Sequence, residues 1–157
     1  MRRSSKRFAV MLAGAVVLGG GLAAVAAERL AGPVAAEVLR VIDGDSIEVR
    51  ARLWLDLDLT VQVRIRGIDA PETGFRAKCP SEMTTGAAAK QRLGELAVGQ
   101  VLLANITPDK YGGRVDADVT NGAGTDLKTA MLASGLARAY DGQKRSDWCE
   151  LARLGGG

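Results

Sequence analysis

The chain has 157 residues, 47% hydrophobic and 25% charged, with two cysteines and no histidine. That length suits about one domain, and the missing histidines exclude both an imidazole base and the usual four-ligand zinc site, which two cysteines do not fill. The net charge of +3 is misleading: four Lys/Arg and no acid lie in the first 27 residues, and subtracting them leaves −1 for the rest. The basic balance of the whole chain therefore says nothing about nucleic acid, and anion binding must come from individually placed arginines.

Residues 1–27 read as a leader. Arg2, Arg3, Lys6 and Arg7 precede an apolar run from Phe8 to Leu18, three glycines and the small-residue sequence LAAVAA, with a cleavage position after Ala27. An uncleaved membrane anchor is the other reading, because residues 8–27 carry no charge over roughly a bilayer's thickness. Much of that span is Ala and Gly, which insert weakly. Either way the rest of the chain is expected in the periplasm or secreted, or tethered to the membrane on its periplasmic side. Cys79 and Cys149, far apart in an exported chain, suggest a disulfide, worth about 4 kcal/mol in the chain-entropy model. Two free buried thiols are the alternative.

A single domain is predicted over residues 32–154. Its first part is a block of strands in which VIDGDS supplies a turn and SIEVRA and TVQVRIRG alternate. Val61, Val63 and Ile65 fall on one face, and Gln62, Arg64 and Arg66 on the other. RLWLDLDL between two strands predicts an extended hairpin arm, with Trp54 exposed near its tip. A helix is expected from Ser81 to Val98, capped by Ser81 or Thr85 and ended by Gly99. Two strands follow, joined by a turn at DKYGG. A second helix opens at Thr125 or Asp126, turns Leu127, Met131 and Leu132 inward and stops near Gly135. SDWCELARL predicts a short last helix. The order suits a small α+β domain built on a closed sheet.

Three fragments carry chemistry: VIDGDS at 41–46, VRIRGIDAPE at 63–72 and DKYGGR at 109–114. Alone, each reads as an ordinary turn or solvated charge. Together, as DGD, R-x-x-x-x-D-x-P-E and D-K-Y-G-x-R followed by GLARAY, they resemble the staphylococcal-nuclease-like (thermonuclease) family. The resemblance implies an α+β fold, a five-stranded OB-type β-barrel with two or three packed helices. It also implies a calcium site in which Asp45 and Asp69 supply carboxylates and Ala70 a backbone carbonyl. Oxygen donors without histidine or sulfur suit Ca2+.

By the same resemblance Glu72 is the general base, and Arg64 and Arg114 are the arginines that grip phosphate, whose oxygens a guanidinium fork meets in pairs. Lys110, Tyr111 and Tyr140 match positions that contact nucleotide phosphate and base. Tyr140 reads equally as an aromatic closing a helix end. The implied activity is calcium-dependent hydrolysis of DNA and RNA with little base preference, on single-stranded or frayed substrate, by a monomer. A non-catalytic binding module in a cell-envelope assembly is the alternative, since this barrel hosts many functions.

Four positions depart from the family pattern. Ala70 stands where Thr is frequent, and Ser46 replaces Thr but keeps a hydroxyl. Gly112-Gly113 moves Arg114 one position later, so a glycine bulge is needed to aim it. Asp116 puts a carboxylate where it competes for Arg114. Arg66 has no counterpart and is expected to pack its stem and form a surface ion pair.

Overall fold

The computed structural model describes residues 28–145 and 147–149. Five strands close into a barrel: β1 (Val34–Val41), β2 (Ser46–Trp54), β3 (Leu57–Ile65), β5 (Gln100–Pro108) and β6 (Arg114–Asn121), in the order β1-β2-β3-β6-β5. Neighbours are antiparallel except β3 and β6, which run parallel. A two-stranded sheet pairs β4 (Ile68–Asp69) with β7 (Arg138–Ala139). The helices are α1 (Pro80–Leu96) and α2 (Leu127–Ala133), with a 3-10 turn at Gly74–Arg76.

Alternation builds the barrel. Ile47, Val49 and Ala51 of β2 and Val63 and Ile65 of β3 are buried, as are Val101 and Leu103 of β5 and Ala117 and Val119 of β6. Each complete burial of a Val, Leu or Ile contributes about 1.5–3 kcal/mol. Ala89 and Leu93 of α1 and Leu127 and Met131 of α2 join the same core. Between β2 and β3 the arm turns at Leu55–Asp56 and leaves Trp54 74% exposed, as its sequence predicts.

Some expectations change in detail. Helix α1 starts at Pro80, whose fixed φ suits a first helical position, and Cys79 precedes it without a side-chain cap. Neither Ser81 nor Thr85 caps it; Thr85 bonds back to the Ser81 carbonyl inside the helix. Asp126 does cap α2, accepting from the Lys128 and Thr129 N–H groups. The paired strands β4 and β7, two residues each, are too short to show periodicity. Asp147–Cys149 is not helical; the remainder of the expected last helix lies outside the described residues, as does the leader. Among the described residues no helix is long and apolar enough to cross a membrane. Cys79 and Cys149 form a disulfide with Cα atoms 6.1 Å apart.

Candidate active site

The turn before β2 and the end of β3 meet at one rim of the barrel. Ser46 pairs with Arg64 in the β2–β3 register, and the Ile65 N–H donates to the Asp45 carbonyl at 2.8 Å. Immediately beyond β3, Gly67 takes φ +83° and reverses the chain so that β4 returns Asp69 to the same point. Asp45 and Asp69 are both only 2% exposed.

Arg64 lies between these acids, its side chain 11% exposed. Its Nη1 is 2.9 Å from Asp45 Oδ2 and its Nη2 3.7 Å from Asp69 Oδ1, while Nη2 also donates to the Ile68 carbonyl at 3.0 Å. The Asp45 carboxylate accepts from Ser46 Oγ at 2.7 Å and from the Ala70 N–H at 3.2 Å. Glu72 stands next to this group on the following loop.

Helix α1 fixes that loop from behind. Its buried Glu82 accepts from the Glu72 N–H at 3.3 Å and the Lys78 N–H at 2.7 Å, so a carboxylate satisfies two loop donors. The approach is so close that a Cβ on Gly86 would lie 2.2 Å from the Glu72 carbonyl oxygen. One on Gly44 would lie 2.6 Å from Ala89 Cβ and 2.7 Å from Ala70 Cβ. Glycine is required at Gly86 because helix and loop backbones nearly touch, and at Gly44 because two alanine methyl groups fill the space.

Sequence reasoning missed a second arginine in the cluster. Arg145 reaches Asp69 Oδ1 with Nε at 2.5 Å, pairs through Nη1 with Glu72 Oε1, and brings Nη2 to 3.8 Å from Asp45 Oδ2. Its neighbour Trp148 donates from Nε1 to Asp69 Oδ2 at 3.1 Å. The disulfide and the Arg138 guanidinium, 3.9 Å over the Trp148 ring, hold this strap in place. The sequence did contain a hint: Cys79 lies close after Glu72, so a bridge to Cys149 brings the KRSDWC segment to the acids.

The rim is built differently. Arg114 pairs through Nε with Asp109 and stacks 4.9 Å over Tyr111, whose ring also lies 5.1 Å from Lys110 Nζ. The expected competitor, Asp116, is not its partner. Asp116 instead lies beside Arg64 in the parallel register, while Arg114 lies beside Gln62. Gly113, at φ +79°, makes the turn into β6. Tyr140 sits 5.6 Å from Arg64 Cζ, and its N–H donates to the Gly67 carbonyl. Arg66 does bury part of its stem and approaches Asp118 at 3.5 Å, but its Nη2 also donates to Asn105 and Asp116 carbonyls. A cleft of about 830 Å³ connects floor and rim, lined by Arg64, Glu72, Lys110, Tyr111, Arg114, Tyr140 and Arg145 among others.

Burial and the charge of Asp43 push the Asp45 carboxyl up from 3.8 to about 6, against the pull of Arg64 and the Ser46 hydroxyl. Burial and then Asp109 also raise Asp116, opposed by Arg66, Arg64 and Arg114. Burial disfavours the charged form of Arg145, but its bond to Glu72 and the charges of Asp69, Glu72 and Asp45 outweigh that, and its pKa is raised.

The donor set fits a hard cation. Asp69 Oδ1 and Glu72 Oε2 are buried and meet only arginines, Asp69 Oδ1 meeting Arg145 and Arg64 and Glu72 Oε2 meeting Arg76 at 3.4 Å, and Asp45, Asp69 and Glu72 offer a cation carboxylate oxygens alone. Both cysteines are consumed in the disulfide. Oxygen-only coordination of this kind suits calcium rather than zinc.

The closed β1-β2-β3-β6-β5 barrel with its polar floor defines an OB-like α+β protein. The family described as staphylococcal nuclease homologue matches residues 62–153, more than half the chain, and the protein belongs to that family. The match includes Arg64, Asp69, Glu72, Arg114 and Arg145; Asp45 precedes it. The chain is similar to "Micrococcal nuclease" of Shigella flexneri, 34% identical over 112 residues, covering 66% of this chain and 57% of that protein. An "Uncharacterized 38.1 kDa protein" of Capnoides sempervirens is 38% identical over 97 residues, covering 59% of this chain and 26% of its own length. The chain thus spans little more than half of the first relative and about a quarter of the second.

Proposed function

We propose that the protein is a calcium-dependent nuclease that hydrolyses phosphodiester bonds of DNA and RNA with little sequence preference. The observation that carries this is that Arg64 and Glu72 line an open cleft while the buried Asp45 and Asp69 meet Arg64 directly beneath it, in a chain of the nuclease homologue family. Asp45, Asp69 and the Ala70 carbonyl would hold the ion. When bound, calcium supplies positive charge to the phosphate oxygens as negative charge gathers at phosphorus.

The remaining work belongs to the side chains. Arg64 donates to a phosphate oxygen through the fork that already faces Asp45, a planar pair of donors matched to phosphate. Glu72 accepts the proton of the attacking water as general base. Around the rim, Lys110 and Arg114 meet flanking phosphates, and Tyr111 and Tyr140 offer ring faces to unpaired bases. That division favours single-stranded or frayed substrate, read through its backbone. The disulfide supports work in an oxidising compartment, periplasmic or extracellular.

Cleavage of a single-stranded oligonucleotide, with calcium and with chelator, tests the proposal. Chelation should abolish activity, and Glu72→Gln should lower kcat by about 10²–10⁴ with calcium affinity little changed. Full activity in chelator, or in Glu72→Gln, overturns it.

A further inference from the structure

Arg145 is the part of the floor that the calcium and phosphate roles above leave unused. Its guanidinium faces Asp45, Asp69 and Glu72 together, the three carboxylates that surround the proposed cation position. Arg64 touches two of the same acids, but from a strand and with its side chain 11% exposed. Arg145 projects from a strap and its side chain is 43% exposed. Of the two arginines that meet both Asp45 and Asp69 it is therefore the one with room to move, while Arg64 is fixed by the barrel.

Charge arithmetic gives that mobility a use. Arg76 pairs with both Asp43 and Glu72, so the cluster is counted whole: Asp43, Asp45, Asp69 and Glu72 against Arg64, Arg76 and Arg145 leave one negative charge. Entry of a divalent cation turns this into one positive charge, which a single phosphodiester neutralises. Without Arg145 the loaded floor would be neutral and lose its net attraction for phosphate. The strap keeps the arginine local: disulfide, Trp148–Asp69 hydrogen bond and Arg138–Trp148 stacking hold its base beside the cleft.

Resting on the nuclease reading, we infer that Arg145 is a second phosphate-binding arginine of the site, stored on the carboxylates while no cation is present and transferred to the substrate phosphate when the cation enters. Carboxylate and phosphate present similar paired oxygens to the guanidinium fork, so the exchange replaces one charge-assisted contact with another. It also assigns to Arg145 the work that Arg114, held by Asp109, is badly placed to do.

Calorimetric titration of the disulfide-intact protein separates the outcomes. Calcium is titrated first into wild type, Arg145→Gln and Arg145→Lys; a nucleoside 3′,5′-bisphosphate is then titrated at saturating calcium. Arg145→Gln should bind calcium about tenfold more tightly, because a competing cation is gone, and the bisphosphate about tenfold more weakly. Arg145→Lys, with charge but no fork, should fall between. Unchanged calcium affinity in Arg145→Gln, with wild type binding both ligands, overturns this inference and leaves the nuclease reading standing. Tighter calcium binding with unchanged bisphosphate binding also overturns it, since the arginine is then only a counter-ion. Failure of wild type and both variants to bind calcium or bisphosphate overturns the nuclease reading and this inference with it.

Discussion

Arg64 and Arg114 belong to adjacent parallel strands and open onto one cleft, yet their surroundings differ. Arg64 is placed by a closed barrel, with Ser46 opposite it, Ile68 accepting its hydrogen bond and two buried acids against its fork. Arg114 begins its strand directly after a glycine turn, pairs with a loop aspartate and leans on Tyr111. Position in the sheet turns one guanidinium into a fixed part of the floor and makes the other an adjustable part of the rim. Two arginines of similar standing in the sequence are thus not equivalent in the molecule.

The sharpest way to break this contrast is to remove each arginine in turn. Arg64→Gln should lower kcat at least about 10²-fold, the scale of losing a phosphate-facing donor. It should also destabilise the protein by about 3 kcal/mol, because Asp45 loses its partner in a buried pair. Steady-state cleavage and denaturant unfolding measure the two effects. Arg64→Gln with near wild-type turnover would contradict its place at the reaction centre.

Next in size is a backbone test of the floor. Gly86→Ala puts a methyl group against the Glu72 carbonyl and should cost about 2 kcal/mol by overpacking, with a loss of activity from the shifted loop. Gly112→Ala, where a Cβ meets nothing within 4 Å, should be nearly silent by thermal melting and cleavage assay.

The third test uses pH. In the metal-free protein Asp45 has a folded pKa of about 6 against an ordinary 3.8, so the folded state binds its proton more tightly than the unfolded chain does. Its contribution to stability is therefore complete below about pH 4 and falls as pH rises through about 6. Melting temperatures in chelator should decline over that interval from this group, and Asp45→Asn should flatten the decline. An unchanged slope in Asp45→Asn would show that other groups govern it.

The smallest effect is expected at the rim. Arg114→Gln should weaken substrate binding less than about tenfold, because Asp109 already holds its guanidinium. Asp109→Asn frees Arg114 and should strengthen bisphosphate binding slightly. A loss at Arg114 as large as that at Arg64 would erase the distinction between floor and rim.

Much of this site is legible along the chain. Arg64, Asp69 and Glu72 fall within nine consecutive residues, in the spacing that carries the family resemblance, and strand alternation sets the face of Arg64. Asp45 follows only from the family resemblance, and the cysteine pairing is one of two readings, which the structure settles as a disulfide. The Asp116 expectation failed because competition for Arg114 was judged by nearness in sequence, whereas parallel pairing puts Asp116 beside Arg64 and leaves Asp109 to take Arg114.

The sequence by itself determined the alternating core, the helix periods, the turn glycines and the principal acid–arginine motif, because these depend on residues a few positions apart. Only the tertiary structure decided that Arg145 and Trp148, separated from their acidic partners by 73 and 79 positions, reach the floor, and that Glu82 supports the Glu72 loop from a helix. Such contacts leave no period in the chain. They exist only where a closed barrel, a packed helix and a disulfide bring remote charges within hydrogen-bonding distance.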